Sequence, residues 1–124
     1  MIVLDEQLDD NRITDGITRW YKGQVINIKV TRLYHLILDD AIASLLLRLK
    51  QPTFVTINYA DFWWRIPAHS GYCTVCFKLS VERIWEVPDR LREVLRMQEF
   101  NTKKERMGKV ISVTDSQVSF YDLQ

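Results

Sequence analysis

The first residues of the chain constrain its fold more than any other stretch. An apolar run over Met1–Leu4 is followed at once by Asp5 and Glu6, which predicts a short buried strand with an acidic carboxyl end. Asp9, Asp10 and Asn11 then offer helix-capping side chains before apolar residues at helical spacing, and Gln24–Ile28 predicts a second strand. Strand, helix and strand within about thirty residues form a βαβ unit, whose right-handed crossover makes the two strands parallel.

The rest of the chain continues this alternation of strands and helical segments. Residues 29–38 are predicted as a loop with a helical turn. His35 in that loop could act as a catalytic base, but we interpret it as a packed or surface side chain. The further predicted elements are a helix over Ala41–Lys50, a strand over Thr53–Ile57, a short helix over Trp63–Ile66, a strand over Tyr72–Leu79, a helix beginning at Pro88, and a terminal hairpin of Lys109–Thr114 and Gln117–Tyr121.

Length and composition favour one soluble domain. A chain of 124 residues can bury one hydrophobic core, so we expect a single domain over residues 1–124. The apolar fraction of 47% and the charged fraction of 27% are typical of soluble globular proteins. No apolar run approaches the ~20 residues of a membrane span, and Asp5 and Glu6 interrupt the apolar start. We therefore expect no membrane segment, no signal peptide and a cytoplasmic location.

Cys73 and Cys76 form a C-x-x-C pair, which can be a redox motif or half of a zinc site. The pair lies in the strand predicted over Tyr72–Leu79, where residues three apart point to opposite faces. The two sulfurs could therefore not readily share a metal ion, and the sequence has no second pair. We interpret both residues as buried thiols in a reducing compartment.

Polar and acidic residues recur at matching places in the predicted fold. Asp5 ends the first strand, Asn58 and Asp61 follow the third, and Asp39 and Asp40 open the helix between strands two and three. If strand one lies between strands two and three, strands one and three are neighbours about 4.8 Å apart, so side chains at their ends can share a cation. Oxygen ligands suit Mg²⁺ or Mn²⁺, which can orient a water for phosphodiester hydrolysis. The alternative is three ordinary surface clusters, since acidic residues also favour the first turn of a helix.

Three of these segments resemble the motifs of a known family, the PIN-like toxins of bacterial toxin–antitoxin pairs. Leu4–Leu8 (LDEQL) is similar to the family's opening Leu-Asp-Glu-Asn-Leu, and Leu38–Ile42 (LDDAI) to the start of its acidic helix. Val55–Phe62 (VTINYADF) resembles the family's Val-Thr-Arg-Asp-x-Asp-Phe strand end. Gly71 before the fourth strand and the late helix and hairpin also agree, so the resemblance covers most of the chain.

This resemblance implies a single three-layer, Rossmann-like α/β domain with a short, mainly parallel sheet of order 2-1-3-4 and a C-terminal β-hairpin. It also implies a Mg²⁺- or Mn²⁺-dependent endoribonuclease of the PIN superfamily that acts on RNA as the toxin of a toxin–antitoxin pair. An antitoxin protein is then the expected partner, and homo-oligomerisation is left open. Asp5 is expected to be the central metal ligand, with Asp39 and Asp61 completing the site and Asn58 ligating or orienting water.

One position departs from the family pattern. Asn58 stands where the family usually has Asp, and one additional residue separates it from Asp61. An Asn side chain can ligate a cation through its carbonyl oxygen but adds no charge. The alternative function is therefore a non-catalytic PIN-like interaction or nucleic-acid-binding module with an eroded acidic site.

Residues next to these acids are candidates for substrate contacts. Glu6 and Asp40 are weaker candidates for metal ligands than Asp5 and Asp39, and we assign them to substrate binding instead. Trp63 and Trp64 could stack unpaired bases, or else pack a loop or a protein interface. Arg65 could contact a phosphate group.

Charge is unevenly distributed although the formal net charge is only +1, so no global field attracts the chain to nucleic acid. A basic cluster of Lys103, Lys104, Arg106 and Lys109 could flank a negative pocket and contact phosphates, or it could be a solvated surface turn.

Two other classes of protein fit the sequence less well. A phospho-accepting receiver domain would need a Lys at a late strand end and a regular alternation of strand and helix, and the terminal hairpin argues against it. A dinucleotide-binding enzyme is disfavoured because none of the four glycines forms a Gly-x-Gly motif after the first strand.

Overall fold

A computed structural model describes residues 1–30 and 42–123 of the chain, and in these residues six strands form one sheet. The strands are β1 (Ile2–Leu4), β2 (Val25–Asn27), β3 (Thr53–Thr56), β4 (Cys73–Phe77), β5 (Val110–Val113) and β6 (Val118–Tyr121). Their order across the sheet is β2-β1-β3-β4-β5-β6. β1 to β5 pair in parallel, and β6 pairs with β5 as an antiparallel hairpin. The α/β class, the order 2-1-3-4 and the terminal hairpin are confirmed.

Helices connect the parallel strands. The α-helices are α1 (Asn11–Thr18), α2 (Ile42–Leu46), α3 (Tyr59–Phe62), α4 (Val87–Arg96) and α5 (Lys103–Arg106), and 3₁₀ turns occupy Glu6–Leu8, Ile28–Val30 and Val81–Glu86. Of the three predicted capping residues, Asp10 caps α1, since its carboxylate accepts a hydrogen bond from the backbone amide of Arg12. The helix predicted from Pro88 is also present, with this proline in its first turn. No helix in the described ranges is long and apolar enough to cross a bilayer.

The two faces of the sheet bury separate apolar cores. Ile2 and Leu4 point to the face that α1 and α4 cover, whereas Val3 between them points to the face with α2 and α3. Cys73 and Cys76 divide in the same way, one in each core, and both are free thiols. Burial raises the pKa of each thiol to about 12, so both stay protonated at neutral pH. The interpretation of the C-x-x-C pair as two buried thiols on opposite faces is confirmed.

Two predicted helices differ from the structure. The prediction over Ala41–Lys50 is too long, because α2 ends at Leu46 and bonds of the 3₁₀ type follow, such as Arg48 N–H to Leu45 C=O at 3.0 Å. Gln51, before Pro52, is left-handed with φ 48°, which turns the chain into β3.

The short helix predicted over Trp63–Ile66 is wrong in position, since α3 ends at Phe62. Trp63 is extended, and Trp64 adopts a left-handed φ of 69°. This turn returns the chain to the sheet, so that both Phe62 and Ile66 reach the core beneath α2.

Close packing of α1 against α4 depends on a glycine. A Cβ atom at Gly16 would lie 2.8 Å from Cγ of Pro88, a distance that real Cβ contacts do not reach. The proline ring cannot move away as the end of a flexible side chain would. The missing side chain at Gly16 therefore sets the separation between the last turn of α1 and the first turn of α4.

Gly16→Ala is expected to destabilise the protein by about 1–3 kcal/mol, because the added methyl group overpacks this contact. Helix propensity alone predicts the opposite sign, a gain of up to ~1 kcal/mol. Urea denaturation measures the difference, with Thr14→Ala on the same helix as the control. A stabilised Gly16→Ala variant would contradict the packing argument.

Candidate functional site

Asp5 lies at the carboxyl end of β1 and is nearly buried, with 5% of its surface exposed. One carboxylate oxygen accepts a hydrogen bond from the Glu6 amide at 2.8 Å, which caps the following 3₁₀ turn. The other accepts a hydrogen bond from the Thr56 hydroxyl at 2.6 Å. Hydrogen bonds of this kind fix the orientation of a carboxylate, so the two oxygens of Asp5 have defined directions.

The ends of three strands meet at this residue. Leu4 pairs with Asn27 of β2 on one side and with Val55 of β3 on the other. The side-chain amide of Asn27 donates a hydrogen bond to the backbone carbonyl of Asp5 at 3.0 Å. Crossovers leave β1 and β3 toward opposite faces of the sheet, and such a switch point is where open α/β sheets bind ligands.

Asn58 and Asp61 follow β3 at the same edge. The backbone amide of Asn58 donates a hydrogen bond to the Thr56 hydroxyl oxygen at 2.9 Å. The Thr56 hydroxyl therefore links the backbone after β3 to Asp5. The Asn58 side chain donates to an Asp61 carboxylate oxygen at 2.8 Å. Both side chains are half-buried. Asp5, Asn58 and Asp61 therefore follow the carboxyl ends of two neighbouring strands, and Thr56 and Asn58 connect them through hydrogen bonds.

The remaining candidates from the sequence at this edge are Asp39, Asp40, His35 and Glu6. Asp39, Asp40 and His35 lie outside the described residues. Glu6 is exposed and begins the 3₁₀ turn after Asp5. Across the described ranges no three side chains of the His, Cys, Asp or Glu type come together as a metal site. The oxygen donors of Asp5, Asn58 and Asp61 are nevertheless of the type that Mg²⁺ and Mn²⁺ prefer.

The two tryptophans belong to an aromatic ladder that starts at this edge. Trp63 stacks on Tyr59 with a centroid distance of 6.0 Å and packs against Tyr121 at 5.2 Å. Trp64 stacks nearly parallel on Tyr121 at 5.0 Å and remains 71% exposed. Because Tyr121 pairs with Val110 at the amino end of β5, the ladder leads away from Asp5. Trp63 therefore packs this loop, whereas Trp64 has an open face.

The late basic cluster lies at the opposite edge of the sheet. Lys103, Lys104 and Arg106 are in α5, which precedes the amino end of β5. Arg106 is buried, and its guanidinium donates to the Thr53 hydroxyl at 3.0 Å and to the Phe100 carbonyl at 3.3 Å. The cluster therefore does not flank Asp5, as the predicted positive flank requires.

Two residues of this edge were not predicted from the sequence. Thr56 is the last residue of β3, and only the pairing of β3 with β1 brings its hydroxyl to Asp5. Lys78 is exposed directly after β4, and its ammonium lies 5.7 Å from the Tyr59 ring centroid. Arg65 is exposed as well, on the loop of the aromatic ladder.

An ion-pair network ties the hairpin turn to α4 farther along the same edge. Asp115 accepts hydrogen bonds from Arg83 at 2.9 Å and from Arg90 at 2.7 Å, and Glu86 binds both arginines. The hydrogen bonds from Arg83 and then Arg90 lower the pKa of Asp115 to about 2. Both guanidinium groups are therefore engaged within the fold.

Asp115→Asn is expected to lower the melting temperature at pH 7, because the native carboxylate gains two guanidinium partners. Its folded pKa of about 2 is below the unfolded value of 3.8, so this stabilisation is complete above pH 3.8 and is lost as the pH falls through about 2. Thermal melts across this range should show the difference from the wild type shrink with acid. Asp122→Asn, at an exposed carboxylate, is the control, and a deficit that is constant with pH would contradict the expectation.

Thr56→Val tests the hydrogen bond on Asp5. Removal of the donor leaves a buried carboxylate oxygen with one partner fewer, so we expect a loss of about 1–3 kcal/mol in urea denaturation. Thr74→Val is the matched control, since the Thr74 hydroxyl is equally buried and has no hydrogen-bond partner in the described part of the chain. Equal effects of the two substitutions would show that the Thr56 bond contributes nothing.

Comparison with models of protein families gave no match, and neither curated proteins nor solved structures gave one. The resemblance to PIN-like toxins therefore stays a prediction from the sequence motifs.

Proposed function

We propose that the protein is a Mg²⁺- or Mn²⁺-dependent endoribonuclease with a PIN-like fold, the toxin of a toxin–antitoxin pair. The sheet order β2-β1-β3-β4 supports this proposal, because it brings the acidic strand ends together at the switch point. Two of the three motifs that resemble the family, Leu4–Leu8 and Val55–Phe62, contain the strand ends that meet at that edge, and Leu38–Ile42 lies outside the described residues except for Ile42.

The observation that carries the proposal is the buried carboxylate of Asp5. A carboxylate with 5% exposure at a strand end is expensive to bury unless it is hydrogen-bonded or paired with a cation. Hydrogen bonds from the backbone amide of Glu6 and the hydroxyl of Thr56 fix the directions of its two oxygens. A carboxylate fixed in this way is preorganised to hold a divalent ion.

The chemistry follows from the donor types. A bound Mg²⁺ or Mn²⁺ ion would stabilise charge on the phosphodiester and lower the pKa of a coordinated water. Asp5 and Asp61 would hold the ion from adjacent strand ends, with Asp39 as the third ligand. Asn58 would hold Asp61 in place through its amide, and Lys78 would offer a positive charge to a phosphate group at the same edge.

A second function is favoured by one specific feature. Asn58 supplies an amide where an acid would add negative charge, and that amide already satisfies one oxygen of Asp61. Such an arrangement suits a non-catalytic PIN-like module that binds RNA or a partner protein. An antitoxin partner is compatible with both functions.

A cleavage assay distinguishes the nuclease from the non-catalytic module. Purified protein is incubated with single-stranded RNA and Mn²⁺, beside Asp5→Asn and an Asp15→Asn control at an exposed position of α1. We expect cleavage by the wild type and the control, and a loss of about a hundredfold or more in Asp5→Asn. Equal cleavage by all three proteins, or by none, would reject the nuclease.

The metal site is tested separately by thermal denaturation. Added Mn²⁺ should raise the melting temperature of the wild type through mass action, and this shift should be absent in Asp5→Asn. A shift without cleavage would favour the non-catalytic module with a retained metal site.

A further inference from the structure

A trough runs along the outer surface of α1 and α4, on the face of the sheet opposite the aromatic ladder. It consists of two adjoining grooves with volumes of about 250 and 410 Å³. Trp20 and Arg92 line both grooves, so the two are continuous.

The charge of this trough is strongly one-sided. Among the described residues that line it, one is a carboxylate, Asp89, and six are cations: Arg12, Arg19, Arg92, Arg96, Lys103 and Arg106. A chain with a net charge of +1 thus concentrates positive charge on one surface. Such a concentration attracts a polyanion.

Four of these cations are available to a ligand. Arg19, Arg92, Arg96 and Lys103 are exposed, and across residues 1–30 and 42–123 no carboxylate lies within 4.0 Å of them. The arginines of the Asp115 network, by contrast, are all paired. At the α5 end, burial and then the charges of Lys103 and Arg106 lower the pKa of the Met1 amino group, as expected in a positive field.

Aromatic side chains alternate with the cations. Trp85 is 65% exposed at one end of the trough. Trp20 lies at the junction, and Tyr21 lies in the larger groove, in edge contact with Trp20 at 6.1 Å. Cations that track a backbone beside rings that stack bases are the two components of single-strand binding sites.

The trough also connects the two edges of the sheet. α1 follows β1 and α4 follows β4, so both helices run from the carboxyl edge, where Asp5 lies, to the amino edge, where α5 lies. The ten residues of α4 give a path of about 15 Å. A nucleic-acid strand bound along the trough would therefore lead toward the carboxyl edge of the sheet.

We propose that this trough binds a segment of single-stranded RNA, with Arg92, Arg96 and Lys103 on phosphates and Trp85 stacked on a base. This deepens the proposed ribonuclease function and rests on it for the identity of the ligand. It also gives the basic cluster of α5 a role in RNA binding, although this cluster lies at the edge of the sheet opposite to Asp5. An acidic protein segment would use the charges but not the open face of Trp85.

The binding experiment uses the full chain in EDTA, so that cleavage plays no part. The probe is a fluorescein-labelled RNA of about twelve nucleotides, and anisotropy is measured over a range of salt concentrations. The double variant Arg92→Gln, Arg96→Gln should bind more weakly, and the slope of log K against log salt should fall by about 1.4 in magnitude, because each lost phosphate contact removes ~0.7. The control Arg48→Gln, Lys50→Gln removes the same charge from an exposed segment after α2 and should leave the slope unchanged.

Stacking is tested at Trp85 with a matched pair of substitutions. Trp85→Leu removes the ring and should weaken binding roughly five- to hundredfold, whereas Trp85→Phe keeps a ring and should retain most of the affinity. Because Trp85 is mostly exposed, both variants should melt near the wild-type temperature.

Absence of RNA binding, or equal binding and equal slopes in the trough variant and its control, would overturn the proposal. Competition by polyglutamate as effective as that by unlabelled RNA would also overturn it in favour of an acidic protein partner. Asp5→Asn separates the two proposals, since it should keep RNA binding while it loses cleavage. Trough-dependent binding without wild-type cleavage would reject the nuclease alone, and cleavage with trough-independent binding would reject the trough alone.

Discussion

The hydrogen bond from Thr56 to Asp5 joins two strands that only parallel pairing makes neighbours. Fifty-one residues separate its donor and acceptor along the chain. The same carboxylate caps the turn that leads into α1, and the backbone carbonyl of Asp5 accepts a hydrogen bond from the side-chain amide of Asn27 in β2. One nearly buried acidic residue thus fixes three strand ends and the entry to a helix. The candidate site is therefore part of the framework of the fold.

This arrangement divides the surface by charge. Acidic and amide oxygens collect at the carboxyl edge, whereas unpaired cations line the outer surface of α1 and α4. Gly16 permits the close approach of these helices at Pro88, and so shapes one end of the trough between them. On the other face, stacking on Tyr121 holds Trp64 at the surface. A net charge of +1 conceals this asymmetry, because the 17 Lys and Arg residues of the whole sequence nearly balance its 16 Asp and Glu residues.

Some features could be predicted because their causes are local. Apolar period, capping residues and a two-residue turn identified α1, the parallel strands and the terminal hairpin. The alternation of side chains along β4 was enough to predict that Cys73 and Cys76 point to opposite faces of the sheet. The helix expected over Trp63–Ile66 was misplaced because the left-handed turn at Trp64 depends on packing beneath it. Helical spacing alone does not report such a turn.

The sequence by itself determined the α/β class, the terminal hairpin and the presence of acidic side chains at strand ends, since these depend on periodicity and on residues that follow one another. Only the tertiary structure decided what those side chains contact. The partnership of Thr56 with Asp5 requires the register of β1 against β3. The basic trough requires α1 and α4 to lie side by side, although about seventy residues of sequence separate them. Contacts between distant segments carry no local pattern, which is why the hydrogen bonds of the candidate site and the trough become visible only in the folded chain.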